Sequence, residues 1–211
     1  MSKKIIDINN WNRREHFLAF RSIECSFSVT VNIDLTNALS IIKQKHYKFY
    51  PAMIYLITSA VNRSPAFKMS MQNESLVEWE IIHPSYTIFH PESETFSGLW
   101  THFDEDISQF MTNFENDQHL YKNDLKLSPK ADMPENYFDI SCLPWTSFTG
   151  FTLNFPKVEN HFKPIITMGK FQTQSGKTTL PLAIQVHHAV CDGFHVAKFV
   201  EILQQLCDEF S

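Results

Sequence analysis

Apolar and polar residues alternate through Phe27, Val29, Val31 and Ile33, the period of a strand with one buried face. Helical spacing takes over at Thr36 and runs through Leu39, Ile42 and Lys43. Pro51 suits the first residue of a second helix carrying Ile54, Tyr55 and Ala60. Short strands are expected over 67–71, 76–82, 86–90 and 95–101. Ile107, Phe110, Met111 and Phe114 fall at i, i+3, i+4 and i+7, so a helix follows. The C-terminal half reads as strands over 147–155, 165–173 and 178–187. A last helix has Phe199, Ile202, Leu203, Leu206 and Phe210 on one face. The expected fold class is α/β: a two-layer sandwich, with a mixed, mostly antiparallel sheet covered by helices. No repeat or Pro/Gly/Ser linker divides the 211 residues, so a single domain over 1–211 is expected.

Composition narrows what such a domain can do. With 43% hydrophobic and 19% charged residues the chain is too apolar for disorder. A net charge of −5 without a basic run argues against nucleic acid as a partner. The longest apolar run, around 52–57, is too short to span a membrane. Lys3 and Lys4 precede no apolar stretch, so no secretory signal is expected. Cys25, Cys142, Cys191 and Cys207 form no CxxC pair and read as free thiols in a reducing compartment, hence a cytoplasmic location. Among five glycines the closest pair, Gly169 and Gly176, is seven apart. That spacing excludes the GxGxxG and GxxxxGK[ST] cradles, so any nucleotide-bearing ligand must be held by side chains. The 19 phenylalanines point to a large core.

Reactive residue types concentrate in Gln185-Val186-His187-His188-Ala189-Val190-Cys191-Asp192-Gly193-Phe194-His195. Leu182, Ile184 and Val186 alternate ahead of it, so His187 and His188 should point to opposite faces. One can look into a site while the other packs. Adjacent strand histidines cannot easily share one metal ion, and the gap from His188 to His195 matches no common ligand spacing, so no metal is expected. Asp192 falls at the start of a turn, and Gly193 frees the backbone to reverse into the last helix. His187 and His195 read as hydrogen-bonded packing residues. His188 with Asp192 has two readings: a structural histidine with a capping carboxylate, or a general base beside a carboxylate that organises it.

The whole run from Gln185 to His195 resembles the active-site signature of the chloramphenicol acetyltransferases. Other blocks agree in the same order: Asn10 to Phe17, Tyr47 to Pro51, Glu94 to Ser97, Ile140 to Trp145, and Pro164 to Met168. The resemblance runs from about residue 8 to 207, and it implies the fold of the CoA-dependent acyltransferases. It implies that His188 takes the proton from the 3-hydroxyl of chloramphenicol, whose oxygen attacks the thioester of acetyl-CoA with no acyl-enzyme. Ser141, ahead of a Leu-Pro-Trp sequence two residues on, would stabilise the oxyanion. Asp192 would pair with Arg13 to hold the segment around His188.

By the same resemblance Phe20, Cys25, Phe27, Phe96, Phe151, Leu153 and Thr167 line an apolar acceptor slot. Phe20 departs from the pattern, since relatives often carry Tyr there, and the stretch 21–26 is one residue shorter than in close relatives. Lys48 and Lys170 match positions near the CoA phosphates, and Phe171 matches an aromatic beside the adenine. The family implies a homotrimer with sites at the subunit interfaces: His188 from one subunit, Ser141 and most of the acceptor slot from its neighbour. The alternatives are a same-fold acetyltransferase for a different hydroxyl acceptor, and a non-catalytic trimer that sequesters a hydrophobic drug.

Overall fold

A computed structural model describes residues 2–154 and 161–211. The chain opens with strand β1 (Lys3–Ile5), helix α1 (Arg14–Ser22) and the long strand β2 (Ser26–Asp34). Helices α2 (Thr36–Gln44) and α3 (Phe49–Asn62) follow, then strands β3 (Met69–Gln72), β4 (Ser75–Trp79), β5 (His83–His90) and β6 (Thr95–Trp100). Helix α4 (Ile107–Tyr121) precedes β7 (Tyr137–Cys142), β8 (Ile165–Met168), β9 (Gln172–Gln174) and β10 (Lys177–His187), and helix α5 (Gly193–Asp208) closes the fold.

The main sheet runs β2-β10-β8-β7-β5-β6, with β9 beside β10. Its outer pairs are antiparallel, while β7 runs parallel to both β5 and β8. The expected mixed sheet is therefore present. A second sheet, β1-β4-β3, is small and antiparallel. Leu180, Leu182, Ile184 and Val186 of β10 enter one core with Met53, Ile57, Phe110, Phe199 and Leu203 from the helices. Burying a side chain of that size contributes about 1.5–3 kcal/mol. Helix α3 is buried almost all round, and α5 packs against α3, α2 and β2.

Several expectations are corrected. Helix α3 begins at Phe49, and Pro51 is its third residue; it remains in the first turn, where a missing N–H costs nothing. The expected strand over 147–155 is absent: residues 147–154 lie outside any strand, and Phe155 falls outside the described residues. The backbone of Leu153 pairs with a side chain instead: its N–H donates to Gln185 Oε1 at 2.9 Å, and Gln185 Nε2 donates to its C=O at 2.9 Å. The expected strand over 165–173 breaks after Met168. Its partner there is Pro181, which accepts from Gly169 N–H at 2.9 Å but has no N–H to return. A Cβ on Gly169 would lie 2.8 Å from both Phe148 and Pro181, so only glycine fits this close approach.

Candidate active site

Strand β10 carries Ile184 and Val186 toward the helices, which sends Gln185 and His187 to the opposite face. His187 is buried there, edge-on to Phe162 with ring centroids 4.9 Å apart. His188 lies one residue past the strand. Its N–H donates to Cys25 O at 2.8 Å, and its ring stacks on Phe20 (3.8 Å, 8° between planes) with Phe27 at its edge, 5.2 Å away. About 29% of the His188 side chain stays exposed. One ring face is packed and the imidazole remains reachable.

The chain turns over 188–190 and enters α5 through Asp192. Asp192 takes both ends of the Arg13 guanidinium: Nη1 donates to Oδ2, and Nη2 donates to Oδ1 at 3.1 Å. The fork geometry makes this a strong, directional pair. The Arg13 hydrogen bond holds the Asp192 carboxyl below the ordinary carboxylate range. Arg13 Nη2 also reaches His188 O at 3.5 Å. Asp192 Oδ1 lies 3.2 Å from His188 Nδ1, an ion-pair distance, but off the line that a hydrogen bond requires. Asp192 N–H donates to His195 Nδ1 at 3.0 Å. Burial lowers the His195 imidazole and takes that of His187 down to about 4. Gly193 departs from expectation. It is the first residue of α5 without a left-handed backbone, so the reversal is made by residues 188–190 before it.

Ser141 belongs to a different place on the sheet. It pairs in register with Thr167 of β8, which pairs with Ala183 of β10. His188 is five residues further along β10 and two strands across, so the two side chains stand on the order of 20 Å apart within one chain.

Beside Ser141 the sheet opens. Strands β5 and β7 stay paired only as far as Tyr86 and Ile140. Beyond that point β5 continues along β6 to His90, while β7 continues along β8 to Cys142. The gap is a pocket of about 530 Å³, with Thr87 and Phe89 on one wall and Cys142 and Trp145 on the other. Lys48, Lys170 and Phe171 all line it, so the structure brings the three expected cofactor residues together. Phe171 meets Phe49 at 5.0 Å, and Lys48 Nζ lies 3.7 Å from Glu115. Burial pushes the Cys142 thiol up to about 11, so this wall presents no thiolate.

The expected acceptor residues divide into groups. Phe20, Cys25 and Phe27 surround His188 of their own chain. Thr167 is buried beside Ser141. Phe96 is 53% exposed on β6, paired with Phe89, and Leu153 is 40% exposed above Gln185. Phe151 packs on Phe148 at 5.6 Å. Sequence reasoning missed Gln185 as the clamp on Leu153. The available signal was a lone amide inside an apolar strand, which must find partners when buried.

A family model described as chloramphenicol acetyltransferase matches residues 1–204. A chloramphenicol acetyltransferase from Proteus mirabilis is 47% identical over 206 residues, covering 97% of this chain and 94% of that protein. Chloramphenicol acetyltransferase 2 from Haemophilus influenzae is 46% identical over 204 residues, 96% of each chain. Among solved structures, a chloramphenicol acetyltransferase superposes with a TM-score of 0.85 at 22% identity, covering 98% of this chain and 100% of that one. The cubic core of a pyruvate dehydrogenase multienzyme complex superposes at 0.64 and 18% identity, covering 92% and 86%. Those two structures establish the acyltransferase fold. The family follows from the sequence matches over nearly the whole length: this chain belongs to the chloramphenicol acetyltransferase family.

Proposed function

We propose that the chain, as one domain, transfers the acetyl group of acetyl-CoA to the 3-hydroxyl of chloramphenicol in the bacterial cytoplasm, inactivating the antibiotic. His188 Nε2 takes the hydroxyl proton, since Nδ1 faces Asp192. A base of this type contributes about 10²–10⁴ in rate. The freed oxygen attacks the thioester carbonyl directly, and Ser141 Oγ donates to the oxyanion. Collapse of the tetrahedral intermediate breaks the C–S bond, and the CoA sulfur leaves as the thiol with the proton that His188 took. Asp192 carries no proton; it holds Arg13, which in turn braces the backbone at His188. Phe20, Cys25 and Phe27 bound the acceptor from the side of His188, while Phe96, Phe151, Leu153 and Thr167 bound it from the side of Ser141.

The observation that carries this reading is the separation of His188 from Ser141 within one chain. A transition state touched by both needs them within a few ångströms of the reacting carbon, which only two copies can supply. A homotrimer with sites at its subunit interfaces meets that need. The pocket beside Ser141 suits acetyl-CoA: it is apolar along its walls, with Lys48 and Lys170 as cations for phosphate groups. The thioester is the activated acyl group, and these residues orient it toward Ser141.

The test is to mix the protein with acetyl-CoA and chloramphenicol and follow release of the CoA thiol, then repeat with His188→Ala. Turnover by the wild type and its loss in the variant are expected. An inactive wild type would refute the activity, and an undiminished variant would refute the base.

A further inference from the structure

We propose that His187 is a positioning residue for the acetyl transfer: its Nδ1 holds the Ala189 N–H and thereby fixes the peptide that carries His188. The inference rests on the reading of His188 as the base. Every backbone N–H between residues 188 and 192 has a partner. His188 N–H goes to Cys25 O at 2.8 Å, and those of Val190 and Cys191 go to His187 O at 3.2 and 3.1 Å. Asp192 N–H goes to His195 Nδ1. The remaining one, Ala189 N–H, ends on His187 Nδ1 at 3.1 Å.

That bond is difficult to replace. Ala189 is fully buried, and a buried N–H without an acceptor costs about 1–3 kcal/mol. The 188–189 peptide is held at both edges, with its N–H on His187 and its C=O facing Arg13 Nη2. If the N–H is released, the peptide plane can rotate about the Cα of His188 and re-aim the imidazole away from the acceptor. The role requires an unprotonated Nδ1, so the neutral ring carries its hydrogen on Nε2. Burial favours that neutral ring, lowering its pKa to about 4. The two adjacent histidines thus divide the work: one moves a proton, and the other stays neutral to aim it.

Two substitutions separate this role from simple packing. In His187→Asn the amide oxygen sits about where Nδ1 sits and can accept from Ala189 N–H. In His187→Gln the amide lies one atom further out and cannot. Both lose the ring that packs on Phe162, so both should lose similar thermal stability. His187→Asn should keep kcat within several-fold of wild type, while His187→Gln should lose on the order of 100-fold in kcat. KM for both substrates should stay within about twofold in each. Equal kcat losses in the two variants, or a loss confined to KM, would overturn the proposal. If neither variant folds, nitrogen NMR of the wild-type imidazole decides: an unprotonated Nδ1 coupled to Ala189 N–H supports it, and a protonated Nδ1 overturns it. Full activity in His188→Ala would instead refute the base on which this inference rests, so the two failures are distinguishable.

Discussion

Around His188 each backbone N–H from residue 188 to 192 has a partner in its own chain, and the imidazole is stacked on Phe20 with Phe27 at its edge. Around Ser141 two parallel strands part instead, leaving a pocket of about 530 Å³ walled by side chains of one chain. The first region is organised by hydrogen bonds and an Arg–carboxylate fork, the second by an interruption in the sheet. The difference fits a division of labour. A proton acceptor must be aimed, and rigid local bonding aims it. A long thioester must thread past the sheet, and a gap between strands admits it.

Substitutions should affect the two regions differently. His188→Ala should lower kcat by on the order of 10²–10⁴ with little change in melting temperature, as measured by thiol release and calorimetry. Ser141→Ala should lower kcat by on the order of 100-fold while leaving the affinity for both substrates nearly intact. If it changed only KM for acetyl-CoA, Ser141 would be a binding residue. Asp192→Asn leaves Arg13 without its carboxylate. The side chains are 15% and 31% exposed, so a loss of about 2–3 kcal/mol in urea unfolding is expected, together with reduced activity. The corresponding change near the open pocket should be mild. Lys170→Ala or Lys48→Ala should raise KM for acetyl-CoA a few-fold, and the effect should shrink with added salt. If high salt left that difference intact, the role of the lysines would not be electrostatic.

Acid should distinguish buried imidazoles from solvated ones. Burial lowers His83 and His187 to about 4, below the ordinary histidine value near 6.5. Each is bound neutral by the fold, so the unfolded chain takes up the proton first. The stability they contribute is complete well above pH 6.5 and declines as pH falls from there toward 4, by on the order of 2 kcal/mol for each ring near pH 5. The Asp192 carboxylate, held low by Arg13, loses its contribution only at more acidic pH. A urea midpoint that stayed flat from about pH 7 to about pH 5 would contradict the buried neutral state of these rings.

The strands and helices with a regular apolar period, such as β2, α2, β10 and α5, were legible in the sequence. Helix α1 was not, because Phe17 alone among its residues is buried and a single position makes no stripe. Strand β7 carries Phe138 and Ile140 inward, too short an alternation to stand out. The stretch 147–154 reads as a strand, but Leu153 there makes both its backbone hydrogen bonds with the Gln185 side chain, which no local pattern encodes. The Arg13–Asp192 pair and the grouping of Lys48, Lys170 and Phe171 came from family likeness, since each joins residues distant in sequence. The gap between β5 and β7 was not legible either, because it depends on where two registers end.

The central claim is that one reaction centre takes His188 from one copy and Ser141 from another. Co-refolding an equal mixture of the His188→Ala and Ser141→Ala chains tests it most directly, since neither variant alone should turn over appreciably. Random assembly should give about a quarter of the interfaces an intact His188 facing an intact Ser141, and so about a quarter of wild-type activity. Activity no higher than the sum of the two separately refolded variants would contradict the account.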